Sequence, residues 1–269
     1  MPELPEMEHY KLVLEKRVIN KPISEVLINR PKSVNLDTSL FEKKLKGQEI
    51  EAIERRAKFL AFHLKNKEVL LLHLMLGGKL YYGTEETSPD HEKQVILDFG
   101  DNALFFIGLR LGYLHLLTQN ELEKEWANLG PEPLSPNFTE TDFLDRLKQK
   151  RGKLKAVLVD QSFVAGIGNR YSDEINFAAA LSPKREVSGL ASYEVSSLFS
   201  ALRQVLTHAI EAGGYLDLPV FEGDVLTGGA ERTMKVHRRA GHPCPRCGAT
   251  IIEEKITSKK TSFCPNCQH

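Results

Sequence analysis

The chain has 269 residues, 41% of them hydrophobic and 27% charged, with 36 basic side chains balanced by 36 acidic ones. That is the composition of a soluble globular protein, long enough for about two domains with real cores. Zero net charge announces no polyanion partner, no run approaches the roughly 18–20 apolar residues of a membrane-spanning helix, and the charged amino terminus is not a signal peptide, so a cytoplasmic protein is expected.

The first predicted element opens with Met1-Pro2-Glu3-Leu4-Pro5-Glu6. A methionine followed by a residue as small as proline is normally trimmed, which would leave Pro2 with a free secondary amine. An α-amino group has an unperturbed pKa of roughly 7.7–8.0 against about 10.4 for lysine, so part of it is unprotonated and nucleophilic at neutral pH. Such an amine can form an iminium ion by attack on carbon, and Glu3 beside it offers a carboxyl group for general acid–base work. Pro5 suits the first turn of a helix. Apolar residues at Met7, Tyr10, Val13, Leu14 and Val18 recur at helical spacing, which predicts a helix over 5–18. The plain alternative is an ordinary amino terminus ahead of a Pro-capped helix.

Residues 24–125 read mainly as β structure. Apolar runs at 58–64, 69–76, 95–99 and 103–109 are separated by turn signals such as Gly77-Gly78 and Gly100-Asp101-Asn102, which predicts a β-sandwich or flattened barrel. Arg55-Arg56-Ala57-Lys58 sets three cations before one of these runs, as either a solvated strand end or a phosphate clamp. The proline-rich stretch over 130–137 can hold neither a helix nor a central strand and predicts a domain boundary.

Beyond it the period turns helical. Phe143, Leu144 and Leu147 mark one helix, Leu154, Val157 and Leu158 a second, and Val195, Leu198, Leu202, Val205, Leu206 and Ala209 line one face of a long helix over 192–212. Gly166 and Gly168 allow a tight turn, and Asn169 opens a helix whose outward N–H groups suit an anion; a plain helix–helix turn has the same residues. From Arg232 to Lys260 there are eight Lys or Arg against Glu253 and Glu254, a local excess that a phosphate-binding face needs.

The four cysteines fall as Cys244-Pro-Arg-Cys247 and Cys264-Pro-Asn-Cys267, with sixteen residues between the pairs. That is a zinc-ribbon pattern, two knuckles aiming four thiolates at one structural Zn2+ per chain. Two disulfides and a four-thiolate iron site are the alternatives.

In this order, Pro2-Glu3-Leu4-Pro5-Glu6, Arg55-Arg56-Ala57-Lys58, Leu129-Gly130-Pro131-Glu132-Pro133-Leu134, Gly166-Ile167-Gly168-Asn169, Val236-His237-Arg238-Arg239-Ala240-Gly241 and the four cysteines resemble the formamidopyrimidine-DNA glycosylase and endonuclease VIII family over nearly the whole chain. The resemblance implies an α+β fold: a catalytic β-sandwich domain with a leading helix over 1–129, a linker over 130–137, a helix-two-turns-helix DNA-binding domain over 138–233, and a zinc ribbon over 234–269. It implies a monomeric DNA glycosylase and abasic-site lyase acting on damaged duplex DNA, with Pro2 attacking C1′, Glu3 moving protons, and Lys58, Lys155 and Asn169 contacting phosphate. The competing reading is a lesion-binding or abasic-site-binding protein, or a lyase alone, on the same scaffold.

The family fills the gap left by a flipped base with a methionine, an arginine and a phenylalanine. Here Leu76 aligns with the first, while Leu109 and Leu111 flank Arg110 at the other two. Leucine can wedge between bases but cannot hydrogen-bond the orphaned partner. Lys259 stands where the family has an arginine, which keeps the charge and loses the bidentate fork.

Overall fold

The apolar stripe of the first helix seeds the amino-terminal half. In the computed structural model, which describes residues 1–269, α1 (Leu4–Val18) buries Met7, Tyr10, Leu14 and Val18, the three- and four-residue spacing that keeps side chains on one helix face. There follow β1 (Glu25–Ile28), α2 (Thr38–Leu45), β2 (Ile50–Arg56), β3 (Phe59–Leu64), β4 (Val69–His73), β5 (Lys79–Gly83), β6 (Lys93–Asp98), β7 (Ala103–Ile107), β8 (Tyr113–Leu117) and α3 (Gln119–Trp126).

These strands pair antiparallel in two four-stranded sheets, β1-β6-β7-β5 and β2-β3-β4-β8. Side chains alternate across a strand, so Leu60, Phe62, Leu70, Leu72 and Leu114 from one sheet meet Val95, Leu97, Leu104 and Phe106 from the other in a core shared with α1. Phe62 and Phe106 pack edge-on across it, ring centroids 6.5 Å apart. The result is a sandwich and not a barrel. The outer face of the second sheet carries Ala61, Val69, Leu71 and Leu117, and α3 covers it with Leu122 and Trp126.

Two strands stop short of their apolar runs. Those predicted over 69–76 and 103–109 end at His73 and Ile107. The reason is close backbone approach between the loops that follow: a Cβ on Gly112 would lie 2.8 Å from the Leu74 carbonyl oxygen, and Gly108 lies against the Gly77 carbonyl. Glycine permits that approach, and strand pairing gives way to it.

Two compact units emerge, Met1–Ala127 with Ala212–Gly229, and Asn128–Glu211 with Ala230–His269. This corrects the expected domain over 138–233, because 212–229 folds with the sandwich. Leu216 and Val220 enter the sandwich core, the Val220 carbonyl accepts the Tyr82 N–H at 2.7 Å beside strand β5, and the Arg17 guanidinium lies 3.5 Å over the ring centre of Phe221. Burial of each such apolar side chain contributes about 1.5–3 kcal/mol, more than continuity with the preceding helix offers.

The second unit contains α4 (Glu140–Lys148), α5 (Leu154–Leu158), α6 (Asn169–Ala178), α7 (Ser192–Glu211) and the antiparallel hairpin β9 (Ile252–Ile256) and β10 (Lys259–Phe263). Phe143 centres an aromatic cluster with Phe138, Phe163 and Phe199 at centroid distances of 6.3, 5.3 and 5.5 Å. The cysteine-bearing segment packs on α6 within this unit, where Phe177 joins Val236, Cys244, Ile251 and Cys264. No helix is long and apolar enough to cross a membrane.

Candidate active site and metal centre

At the head of α1, Pro2 and Glu3 are buried. Glu3 is the N-cap and forms a capping box with Glu6: the Glu3 N–H donates to Glu6 Oε2 at 2.8 Å. Such a box satisfies helix N–H groups that otherwise have no partner. The other oxygen, Glu6 Oε1, accepts the Tyr215 N–H at 3.1 Å. Gly213 and Gly214, at φ +75° and +66°, bring that backbone over the helix start, and a Cβ on Gly214 would sit 2.8 Å from Glu6 Oε1. The Tyr215 hydroxyl donates to the Met1 carbonyl.

Lys58 occupies the two-residue turn between Arg56 and Phe59, which pair across β2 and β3. The turn is tight enough to hold Ala57 at φ +54°, a left-handed conformation costing about 1–2 kcal/mol for a residue with a Cβ. Arg55 ties this hairpin to α1 through an ion pair with Glu8 at 2.5 Å. Lys58 is buried and near enough to His73 to act on it. Burial first, and the Lys58 charge second, depress the His73 pKa from 6.5 to about 4.

A histidine whose folded pKa is depressed contributes stability above the unfolded value and loses it as pH falls. The window here runs from 6.5 to about 4, with roughly 3 kcal/mol at stake. The thermal midpoint is expected to drop over that range and His73→Phe to flatten most of the drop. Burial shifts His9 and His115 the same way, leaving a smaller residual slope.

The loops after β4 and β7 carry the apolar wedge candidates. Leu76 is 65% exposed and Leu111 62%, but Leu109 is fully buried in the sandwich core. Its N–H donates to Gln94 Oε1 at 2.9 Å and its carbonyl accepts from Ser33 Oγ at 3.3 Å. Leu109 therefore anchors the loop and cannot wedge between bases, which corrects the reading that set it beside Leu111 for that role. Arg110 projects outward in an exposed pair with Glu92 at 3.3 Å, a contact worth about 0–1 kcal/mol and readily exchanged for a phosphate.

In the second unit, Lys155 is fully buried. Its ammonium donates to the Asn169 carbonyl at 2.8 Å, to Ser172 Oγ at 2.7 Å and to Asp173. The expectation of a direct phosphate ligand gives way to that of a strut. Asp173 also meets His237 Nδ1 at 2.7 Å and the Ser262 N–H at 3.3 Å, joining α5, α6 and the ribbon. Asn169 Nδ2 donates to the Lys260 carbonyl at 2.9 Å. This fixes a hairpin whose tip presents Lys259 and Lys260 to solvent. Glu174 accepts the N–H groups of Lys235, Val236 and His237 at 2.8, 2.9 and 2.8 Å, so two adjacent acids hold the linker into the ribbon. Removing one partner of a buried ion pair strands the other charge, so Lys155→Met is expected to cost about 3–5 kcal/mol in denaturant unfolding of this unit.

All four cysteine sulfurs lie within 4.8 Å of one another, with Cys244 and Cys267 at 3.9 Å and Cys247 and Cys264 at 3.6 Å. Disulfide sulfurs stand about 2.05 Å apart, whereas four Zn–S bonds of about 2.3 Å set tetrahedral sulfurs about 3.8 Å apart. The Arg246 N–H also points at Cys244 Sγ at 3.4 Å, as it would at a metal-bound thiolate. The donor set fits one closed, structural zinc ion.

Residues 1–113 match the family model for the formamidopyrimidine-DNA glycosylase N-terminal domain, 129–217 that for its H2TH domain, and 241–269 that for a zinc finger found in FPG and IleRS. The formamidopyrimidine-DNA glycosylase of Carboxydothermus hydrogenoformans is 36% identical over 269 residues, covering 100% of both chains. The chain belongs to the formamidopyrimidine-DNA glycosylase family. The glycosylase of Symbiobacterium thermophilum is 38% identical over 273 residues, covering 100% of this chain and 89% of its own. Among solved structures, a Lactococcus lactis FPG mutant in complex with a Fapy-dG containing DNA superposes with TM-score 0.92 at 31% identity over 100% of both chains. The Lactococcus lactis Fpg with an abasic site containing DNA gives 0.92 at 30% over 99% of each.

Against that family frame, the Asp173–Glu174 pair and Tyr215 are structural members of this glycosylase that no motif marked. Asp173 and Glu174 lie inside a helix where nothing in the sequence sets them apart, and Tyr215 follows two glycines that look like an ordinary helix end.

Proposed function

We propose that the protein is a bifunctional DNA glycosylase and abasic-site lyase that removes oxidised or ring-opened bases from duplex DNA. The observation that carries this reading is the buried Pro2–Glu3 pair at the head of α1, under the Gly213–Tyr215 backbone, in a chain of this family. Loss of Met1 frees the Pro2 amine. Its lone pair forms a bond to C1′ as the C1′–base bond breaks, and the base leaves with that electron pair and takes up a proton. The new ammonium loses its N–H proton to solvent. The nitrogen lone pair then opens the C1′–O4′ bond to an iminium while Glu3 delivers a proton to O4′. The iminium acidifies C2′–H; loss of that proton expels the 3′-phosphate, and a second elimination expels the 5′-phosphate.

The remaining residues handle the strand. Lys58 holds phosphate near the lesion, and Arg110 and Lys259 add further backbone contacts. Lys155 acts through Asn169, fixing the turn and the hairpin it carries. Leu76 and Leu111 fill the space a flipped base leaves, which costs a few kcal/mol of unstacking and least at a damaged pair. With a buried leucine at 109 in place of the family arginine, no side chain at that position reads the orphaned base, so opposing bases are tolerated broadly. Bacterial relatives fit work in the cytoplasm, and we further propose that the protein acts there on the nucleoid as a monomer.

Borohydride trapping on a duplex with one abasic site, run with each of the four bases opposite, tests this. A covalent adduct on a chain lacking Met1 by intact mass is expected, at rates within about tenfold of one another, because the direct base contact that would impose a preference of about 1–3 kcal/mol is missing. Tight binding with no adduct would establish the lesion-binding protein instead.

A further inference from the structure

We infer that Tyr215 is a positioning residue for the Pro2 nitrogen: in the trimmed chain its phenolic oxygen accepts the N–H of the secondary amine and so fixes where the nucleophilic lone pair points. The inference rests on the reading of Pro2 as the nucleophile and adds a residue to that site.

The geometry comes from the intact chain, in which the Tyr215 hydroxyl donates to the Met1 carbonyl oxygen. That oxygen and the Pro2 nitrogen are bonded to the same carbon, about 2.3 Å apart by ordinary amide dimensions. A hydroxyl hydrogen-bonded to the one therefore stands within reach of the other. Cleavage of Met1 takes the carbonyl away and creates, beside the hydroxyl, an amine that has an N–H to give.

Tyr215 is held in place for this. Its own N–H donates to Glu6 Oε1 at 3.1 Å while the Glu3 N–H donates to Glu6 Oε2 at 2.8 Å, so the tyrosine and the catalytic segment hang on the two oxygens of one buried carboxylate. On one side Gly214 allows the backbone to touch Glu6 and Gly213 lets it lie against Leu226, and on the other Leu216 is locked into the sandwich core. A side chain pinned at both neighbours loses little entropy on orienting an amine.

The chemistry follows from the hydrogen count. A neutral secondary amine has one N–H and one lone pair, so an acceptor for the first sets the direction of the second. A phenol is protonated at neutral pH, and its oxygen can accept a hydrogen bond while its hydrogen is donated elsewhere. The protonated amine donates to it more strongly still, so the hydroxyl also raises the pKa of Pro2. Once the iminium forms there is no N–H left, and the contact has done its part before the covalent step ends.

Tyr215→Phe keeps the ring and removes the oxygen. In chains shown by intact mass to lack Met1, single-turnover borohydride trapping on abasic duplex is measured from pH 5 to pH 9, with duplex affinity and thermal midpoint alongside. The expected result is a plateau rate about tenfold lower, with the acid limb displaced to lower pH by about half a unit and affinity and midpoint unchanged. A rate and pH profile identical to those of the native chain would overturn the role of Tyr215 while leaving Pro2 as the nucleophile. A deficit that vanishes at saturating duplex would do the same, since it would show weaker binding only. A native, trimmed chain that forms no adduct would overturn the Pro2 reading, and this inference with it.

Discussion

Pro2→Gly is expected to lower the rate of borohydride-trapped adduct formation by about 100-fold, close to 3 kcal/mol of transition-state stabilisation, with duplex affinity within about threefold of native. Glycine in second place still loses its methionine and still presents an α-amino group, so charge and binding are nearly conserved. What changes is the nucleophile. A secondary amine gives an iminium that is cationic at every pH, so the electron sink for both eliminations is always present. A primary amine gives an imine that needs a proton first. The pyrrolidine ring also restricts the rotation that would point the lone pair away from C1′. Single-turnover trapping and a binding titration on one abasic duplex separate the two quantities. Turnover at the native rate would show that some other amine forms the adduct.

Loss of zinc is the second large effect. Cys247→Ser, or chelation of the native protein, is expected to abolish duplex binding while the sandwich stays folded. Two-stranded hairpins are marginal alone, and here the small apolar cluster of the ribbon, with Phe177, Val236 and Ile251, includes the ligand side chains Cys244 and Cys264 themselves. Structural zinc contributes about 10–16 kcal/mol in isolated finger peptides, more than most domains have in total. Without it the hairpin that presents Lys259 and Lys260 keeps mainly its few contacts to α6, through Asn169 and Asp173, too little to hold it in place. The single tryptophan, Trp126, lies in α3 on the sandwich, so its fluorescence should hold steady through chelation as binding disappears. Retained binding by Cys247→Ser would place the DNA contacts elsewhere.

Lys155 and Leu109 mark where reading side chains one at a time fails. Both sit at positions that suggest contact with DNA, one by charge and one by alignment. Lys155 is instead neutralised by Asp173 and braced by the Asn169 carbonyl. Leu109 turns inward because its loop is drawn against Leu74 and Gly77 by glycine contacts, leaving a neighbouring core site to fill. Charge and apolarity are properties of a residue, whereas exposure is a property of the packed loop that holds it.

The sequence by itself determined the parts governed by local rules. Helical period placed α1 and α7, apolar runs with turn residues placed β3, β4, β6 and β7, Pro2 and Glu3 set an amine candidate beside a carboxyl group, and two Cys-x-x-Cys knuckles specified a tetrahedral thiolate site. Only the tertiary structure decided what depends on distant segments meeting. It folded 212–229 onto the sandwich, hung Glu3 and Tyr215 on the same Glu6 carboxylate across more than two hundred residues of chain, and made Asp173 the junction of α5, α6 and the ribbon. Those contacts come from burial and hydrogen-bond satisfaction summed over the whole core, and no window of sequence carries that sum.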